Sequence, residues 1–81
     1  MTRLPRDLDG ATLAVALRKL GYSETRQTGS HVRLVTLRNG EHHLTIPRHA
    51  PLKVGTLNVN LRQVCQHFGL TRDELLDLLF G

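Results

Sequence analysis

The stretch Thr28-Gly29-Ser30-His31-Val32-Arg33-Leu34-Val35-Thr36-Leu37-Arg38-Asn39-Gly40-Glu41-His42-His43-Leu44-Thr45-Ile46 decides the fold. Val32 and Leu34 alternate with His31 and Arg33, and Leu44 and Ile46 alternate with His43 and Thr45. Alternation of period two marks strands with one face on a core and the other in solvent. Arg38-Asn39-Gly40-Glu41 separates the two runs and reads as a hairpin turn, because Asn-Gly accepts the left-handed backbone of a tight reversal. Thr28-Gly29 marks a second turn, where Gly29 takes a positive φ without steric cost. Before it, residues 22–27 hold strand formers without clean alternation and are expected to form an edge strand. Pro47 ends the third strand. Aligned pleats then put His31, Arg33 and His43 on the outer face of a three-stranded antiparallel sheet.

Helices are expected on either side of the sheet in sequence. Asp9 is placed as an N-cap, and Leu13, Ala16, Leu17 and Leu20 form one stripe at helical spacing over residues 10–20, with Gly21 just past the end. After a loop over residues 48–55, Thr56 is expected to cap a second helix. Its apolar positions are Leu57, Leu61, Val64, Cys65 and Phe68, and Gly69 closes it. Thr71 and Glu74 have capping-box spacing and open a short last helix through Leu75, Leu76, Leu78 and Leu79. The order predicts an α+β domain with its helices on one face of the sheet.

Eighty-one residues make a single domain, residues 1–81, with one modest core. A chain of this size buries roughly 60–65% of its extended surface, which leaves no room for a second lobe. Cys65 is the one cysteine, so an intramolecular disulfide is excluded. No apolar run is long enough to span a bilayer, and the positively charged start lacks a following hydrophobic segment, so the cytoplasm is the expected location. Eleven Lys and Arg oppose seven Asp and Glu. Arg18, Lys19, Arg26, Arg33, Arg38, Arg48, Lys53 and Arg62 crowd the middle of the chain, against only Glu24 and Glu41 there. Clustered cations of this kind are the footprint of a nucleic-acid binder. Tyr22, Phe68 and Phe80 are too few for a base-stacking platform.

Five histidines are present, and residue type alone selects none of them. Position favours His31, which leaves a glycine turn on a strand that holds its backbone. An imidazole both takes and gives a proton near neutral pH, which general acid–base catalysis requires. Arg33, Arg48 and Lys53 are candidates for gripping phosphate, and the amides of Gly55 and Thr56 at a helix start are candidates for a second phosphate. His43 or His49 could assist His31, and His49 could equally hold its loop by a hydrogen bond. No carboxylate or thiol is spaced to complete a metal site with His31, His43 and His49, so no metal is expected. His67, near a helix end, suits the negative pole of the helix dipole.

Gly29-Ser30-His31, Ile46-Pro47-Arg48-His49 and Lys53-Val54-Gly55-Thr56-Leu57, in this order, resemble the signature of the HicA-type toxins. The resemblance runs from about residue 9 to residue 70. It implies a fold like that of double-stranded-RNA-binding domains, α-β-β-β-α, with residues 71–80 as an added helix. It implies the toxin of a type II toxin–antitoxin system active under stress, a metal-independent endoribonuclease that cuts messenger RNA, with His31 as the catalytic acid or base. Ser30, Arg33, Arg48, His49, Lys53, Gly55 and Thr56 fall on the segments expected to hold the RNA. The implied partners are messenger RNA and a HicB-type antitoxin, with no membrane. Asn58 stands where the family often has a base after Gly-Thr-Leu, which leaves that position without a cation. The same fold and charge also suit an RNA-binding module without catalysis.

Overall fold

The structure, a computed structural model, describes residues 3–5, 8–48 and 52–81. The elements run α1 (Gly10–Leu17), a 3-10 turn (Arg18–Leu20), β1 (Ser23–Thr28), β2 (His31–Thr36), β3 (His42–Pro47), α2 (Val54–Phe68) and α3 (Arg72–Phe80). The strands form one antiparallel sheet in the order β1-β2-β3. This is the α+β, α-β-β-β-α layout expected from the sequence, with α3 following. The Asp9 side chain accepts from the amide of Thr12, and Thr71 and Glu74 complete a reciprocal capping box. Each cap satisfies amides that the first helical turn leaves open.

The core lies between the inner face of the sheet and the helices. Val32, Leu34, Leu44 and Ile46 supply the sheet side. Leu13, Ala14, Ala16 and Leu17 come from α1, Leu57, Leu61 and Val64 from α2, and Leu75, Leu76 and Leu79 from α3. Cys65 and Phe68 pack partly buried against this cluster, and burial pushes the Cys65 thiol pKa up. Tyr22 is buried too, and its hydroxyl donates to Nδ1 of His42 at 2.7 Å. The His42 ring stacks on His67 with centroids 4.6 Å apart.

Several boundaries differ from expectation, among them the end of the first helix, whose last turn, Arg18–Leu20, is 3-10. Thr28 belongs to β1, and Gly29 (φ 58°) with Ser30 makes the reversal, so the pairing is Thr28 with His31. A glycine of positive φ at the first central position suits a type II′ hairpin. At α2 the N-cap is Lys53 rather than Thr56, and the helix starts at Val54. Lys53 makes no side-chain cap hydrogen bond, so the sequence has no cap signal there. Pro47 is the last residue of β3, opposite His31, and ends the strand as expected; an edge strand tolerates it because one side of its backbone needs no ladder donor.

One end of the fold is tied by the β2–β3 connection. Asn39 takes φ 56° and donates from Nδ2 to the carbonyl of His67 at 2.7 Å, and His67 Nε2 donates back to the carbonyl of Arg38 at 2.9 Å. The imidazole of His67 thus staples the hairpin to the end of α2. Arg38 donates to the carbonyl of Lys19, and Lys19 donates to the carbonyl of Leu79 at the end of α3. Since α2 ends here, its start lies about 22 Å away, at the opposite end of the sheet. That opposite end carries the Gly29-Ser30 turn, the end of β3 and the start of α1.

Candidate functional site

Pleating sends His31 and Arg33 outward, away from the helices, with Val32 and Leu34 buried between them. Arg26 on β1 pairs with Arg33, and Thr45 on β3 pairs with Arg33 from the other side. Arg26, Thr28, His31, Arg33 and Thr45 line a shallow depression of about 190 Å³ on this face. It contains two guanidinium groups, one imidazole and two hydroxyls, with no carboxylate among its walls. Such a surface suits an anion with several oxygens. His31 is exposed, and its ring has no hydrogen-bond partner among the described residues. It is therefore open to a ligand rather than consumed by the fold.

The other sequence candidates gather at the same end of the molecule but not all on this face. Ser30 and Arg48 are joined by a 2.7 Å hydrogen bond from the Arg48 amide to the Ser30 carbonyl, which extends the β2–β3 ladder. The Arg48 guanidinium reaches under the turn to Oε1 of Gln27. Gln27 pairs with inward-facing Val32, so Arg48 lies on the helix side of the turn from His31. Lys53, Gly55 and Thr56 sit exposed at the start of α2, on that helix side as well. A β-carbon at Gly55 would meet nothing within 4 Å, so the surface beside its α-carbon is open. His49 lies outside the described residues.

His43 shares the outer face with His31, as expected, but it pairs with Val35 while His31 pairs with Pro47. Four residues of strand separate the two rungs, about 13 Å. His43 instead contacts Glu41, Nε2 to Oε2 at 2.9 Å. The geometry thus gives His43 a local carboxylate partner and keeps it from His31. Among the described residues no group of three His, Cys, Asp or Glu side chains could hold a metal ion. Asn58 accepts from Arg72 and ties α2 to α3.

The sequence reading missed Arg26, Thr28 and Thr45. Thr45 owes its place to the β2–β3 pairing, and Arg26 and Thr28 owe theirs to the β1–β2 register, which a turn at Gly29-Ser30 fixes and a turn at Thr28-Gly29 would shift. A β-bulge between Glu24 and Arg26 shifts it again, and no residue type announces it.

The fold is a small α+β domain whose outer sheet face carries a basic, histidine-bearing depression. The family model described as HicA toxin of bacterial toxin-antitoxin matches residues 10–64, from the first residue of α1 into α2. The chain belongs to that family and is a toxin of a toxin–antitoxin system. Searches of curated proteins and of solved structures return no significant match. Among the described residues no helix is long and apolar enough to cross a membrane.

Proposed function

We propose that the toxin is a cytoplasmic endoribonuclease that cleaves messenger RNA without a metal and is neutralised by a HicB-type antitoxin. The observation that carries this reading is the placement of exposed His31 beside Arg33 in an open cationic depression. RNA brings its own nucleophile. The 2′-hydroxyl loses its proton as its oxygen bonds to phosphorus, and the bond from phosphorus to the 5′-oxygen breaks as that oxygen gains a proton. The products are a 2′,3′-cyclic phosphate and a 5′-hydroxyl. His31 serves as the proton-transferring group, and Arg33 meets the charge that builds on the phosphate oxygens. Ser30, Arg48, Lys53 and the amides of Gly55 and Thr56 hold the flanking strand at the turn end of the molecule. Tyr22, Phe68 and Phe80 all pack in or against the core, so recognition runs through phosphates and shape rather than base stacking.

Induced expression of wild type and His31→Ala, with growth and the integrity of a defined messenger RNA followed together, tests the reading. Arrest and cleavage by wild type alone, at equal levels of folded protein, are expected. Equal toxicity of the two proteins would remove His31 from the chemistry. RNA binding by both, with cleavage by neither, would make the protein a binding module.

A further inference from the structure

We propose that Arg26 and Arg33 form a two-arginine clamp that grips one RNA phosphate on the outer face of the sheet, with His31 at its rim. This deepens the ribonuclease reading and rests on it for the identity of the anion. The starting observation is an electrostatic conflict. Arg26 and Arg33 are direct cross-strand partners, and like charges placed directly opposite oppose strand pairing. Neither guanidinium has a hydrogen-bond or ion-pair partner among the described residues. Lys19, Arg38, Arg48 and Arg72 each donate to a partner in the fold, whereas Arg18, Lys53 and Arg62 have none among the described residues but do not line this depression.

The bulge in β1 makes the conflict sharper. In an unbroken ladder Glu24 would pair with Val35 and stand on the outer face, two residues from Arg26. The register shift between Glu24 and Arg26 pairs Glu24 with Leu34 instead, a residue of the inner face. The one carboxylate of β1 is thereby turned away from both arginines. Bulges re-aim side chains in this manner near functional sites. The other acid of the hairpin, Glu41, is held at the far end by His43. What remains on the outer face is paired positive charge flanked by the hydroxyls of Thr28 and Thr45, in a depression that His31 also lines. A phosphate bridging the two guanidiniums would convert the repulsion into two charge-assisted contacts.

The test uses the full chain carrying His31→Ala, so that RNA is not consumed, and a fluorescein-labelled 12-nucleotide RNA followed by anisotropy across a salt series. Adding Arg26→Gln is expected to weaken binding by about tenfold and to lower the slope of log affinity against log salt by about one. Arg26→Lys should keep the slope and lose only part of the affinity. Arg62→Gln, a cation on α2 remote from this face, should change binding less than about twofold. Relief of the repulsion should also raise the melting temperature of Arg26→Gln by roughly 1–5 °C. Unchanged affinity and slope in Arg26→Gln overturn the clamp, even if wild-type protein cleaves RNA. Loss of antitoxin binding with RNA binding intact overturns it as well and makes the arginine pair a protein-docking surface. Weakened RNA binding in Arg26→Gln, in a protein that proves unable to cleave, supports the clamp while the ribonuclease reading falls.

Discussion

A β-carbon on Gly10 would lie 1.6 Å from the carbonyl oxygen of Pro47 and 2.9 Å from Cα of Arg48. The first residue of α1 therefore rests directly on the backbone where β3 ends. The Ala11 amide donates to the Arg48 carbonyl at 3.3 Å, and the Arg48 amide donates to the Ser30 carbonyl. Glycine at position 10 lets one helix brace the turn that presents His31.

Gly10→Ala should consequently destabilise the protein despite alanine's better helix propensity, which favours it by only about 1 kcal/mol. Every atom in the way is backbone, so the helix must move off the strand. A loss of about 3 kcal/mol is expected in denaturant unfolding. Stability equal to wild type would show that α1 does not dock on β3 in this way.

Tyr22 and His42 predict a pH dependence. Burial raises the Tyr22 phenol to about 12, so it stays protonated and is able to donate to Nδ1 of the neutral His42 ring. Burial above all, and then the neighbouring His67 and His43, lower the His42 pKa from its ordinary 6.5. Above about pH 6.5 the ring is neutral in both states, and its full contribution to stability is present. As pH falls below that, the unfolded chain binds a proton that the folded chain resists, and stability declines until folded His42 is protonated too. The melting temperature of wild type should fall more steeply from pH 7.5 to 5.5 than that of His42→Gln. Parallel curves would contradict the assignment. The Glu74 carboxyl, lowered from 4.5 by the Thr71 amide and then its hydroxyl, acts only in a more acidic window. Tyr22→Phe, which strands the acceptor on His42, should cost about 1 kcal/mol at neutral pH.

The last helix lies beyond the residues matched to the family, yet Leu75 is fully buried and packs in the same core as Leu13 and Leu61. Leu75→Ala should cost between about 2 and 5 kcal/mol. Removing residues 71–81 should leave a chain that binds a hydrophobic dye and unfolds without a sharp transition. Cooperative unfolding of the shortened chain at the wild-type midpoint would make α3 an appendage.

Much of this was legible in the sequence because local chemistry and tertiary structure agree. Asp9 and the Thr71-Glu74 pair cap the helices they precede, and the alternation around Val32 and Leu44 matches the buried face. Asn39 adopts the left-handed backbone its type favours. The start of α2 was misplaced because Lys53 carries no short acceptor side chain to mark a cap. The partners of Arg33 were hidden for another reason. Arg26 comes opposite Arg33 because Gly29-Ser30 makes the reversal, whereas a turn one residue earlier would set Glu24 there instead. His31 itself stood out from its turn, whereas the separation of His43 from it became visible only through the paired rungs of β2 and β3.

The central claim is that His31 moves the proton when RNA is cut. Purified wild type and His31→Ala, both shown to be folded, should be incubated with a defined messenger RNA in excess chelator, and the product ends determined. Cleavage by wild type alone, leaving 2′,3′-cyclic phosphate and 5′-hydroxyl ends, is the expected result. Cleavage by His31→Ala at the wild-type rate, or product ends carrying a 5′-phosphate, would contradict it.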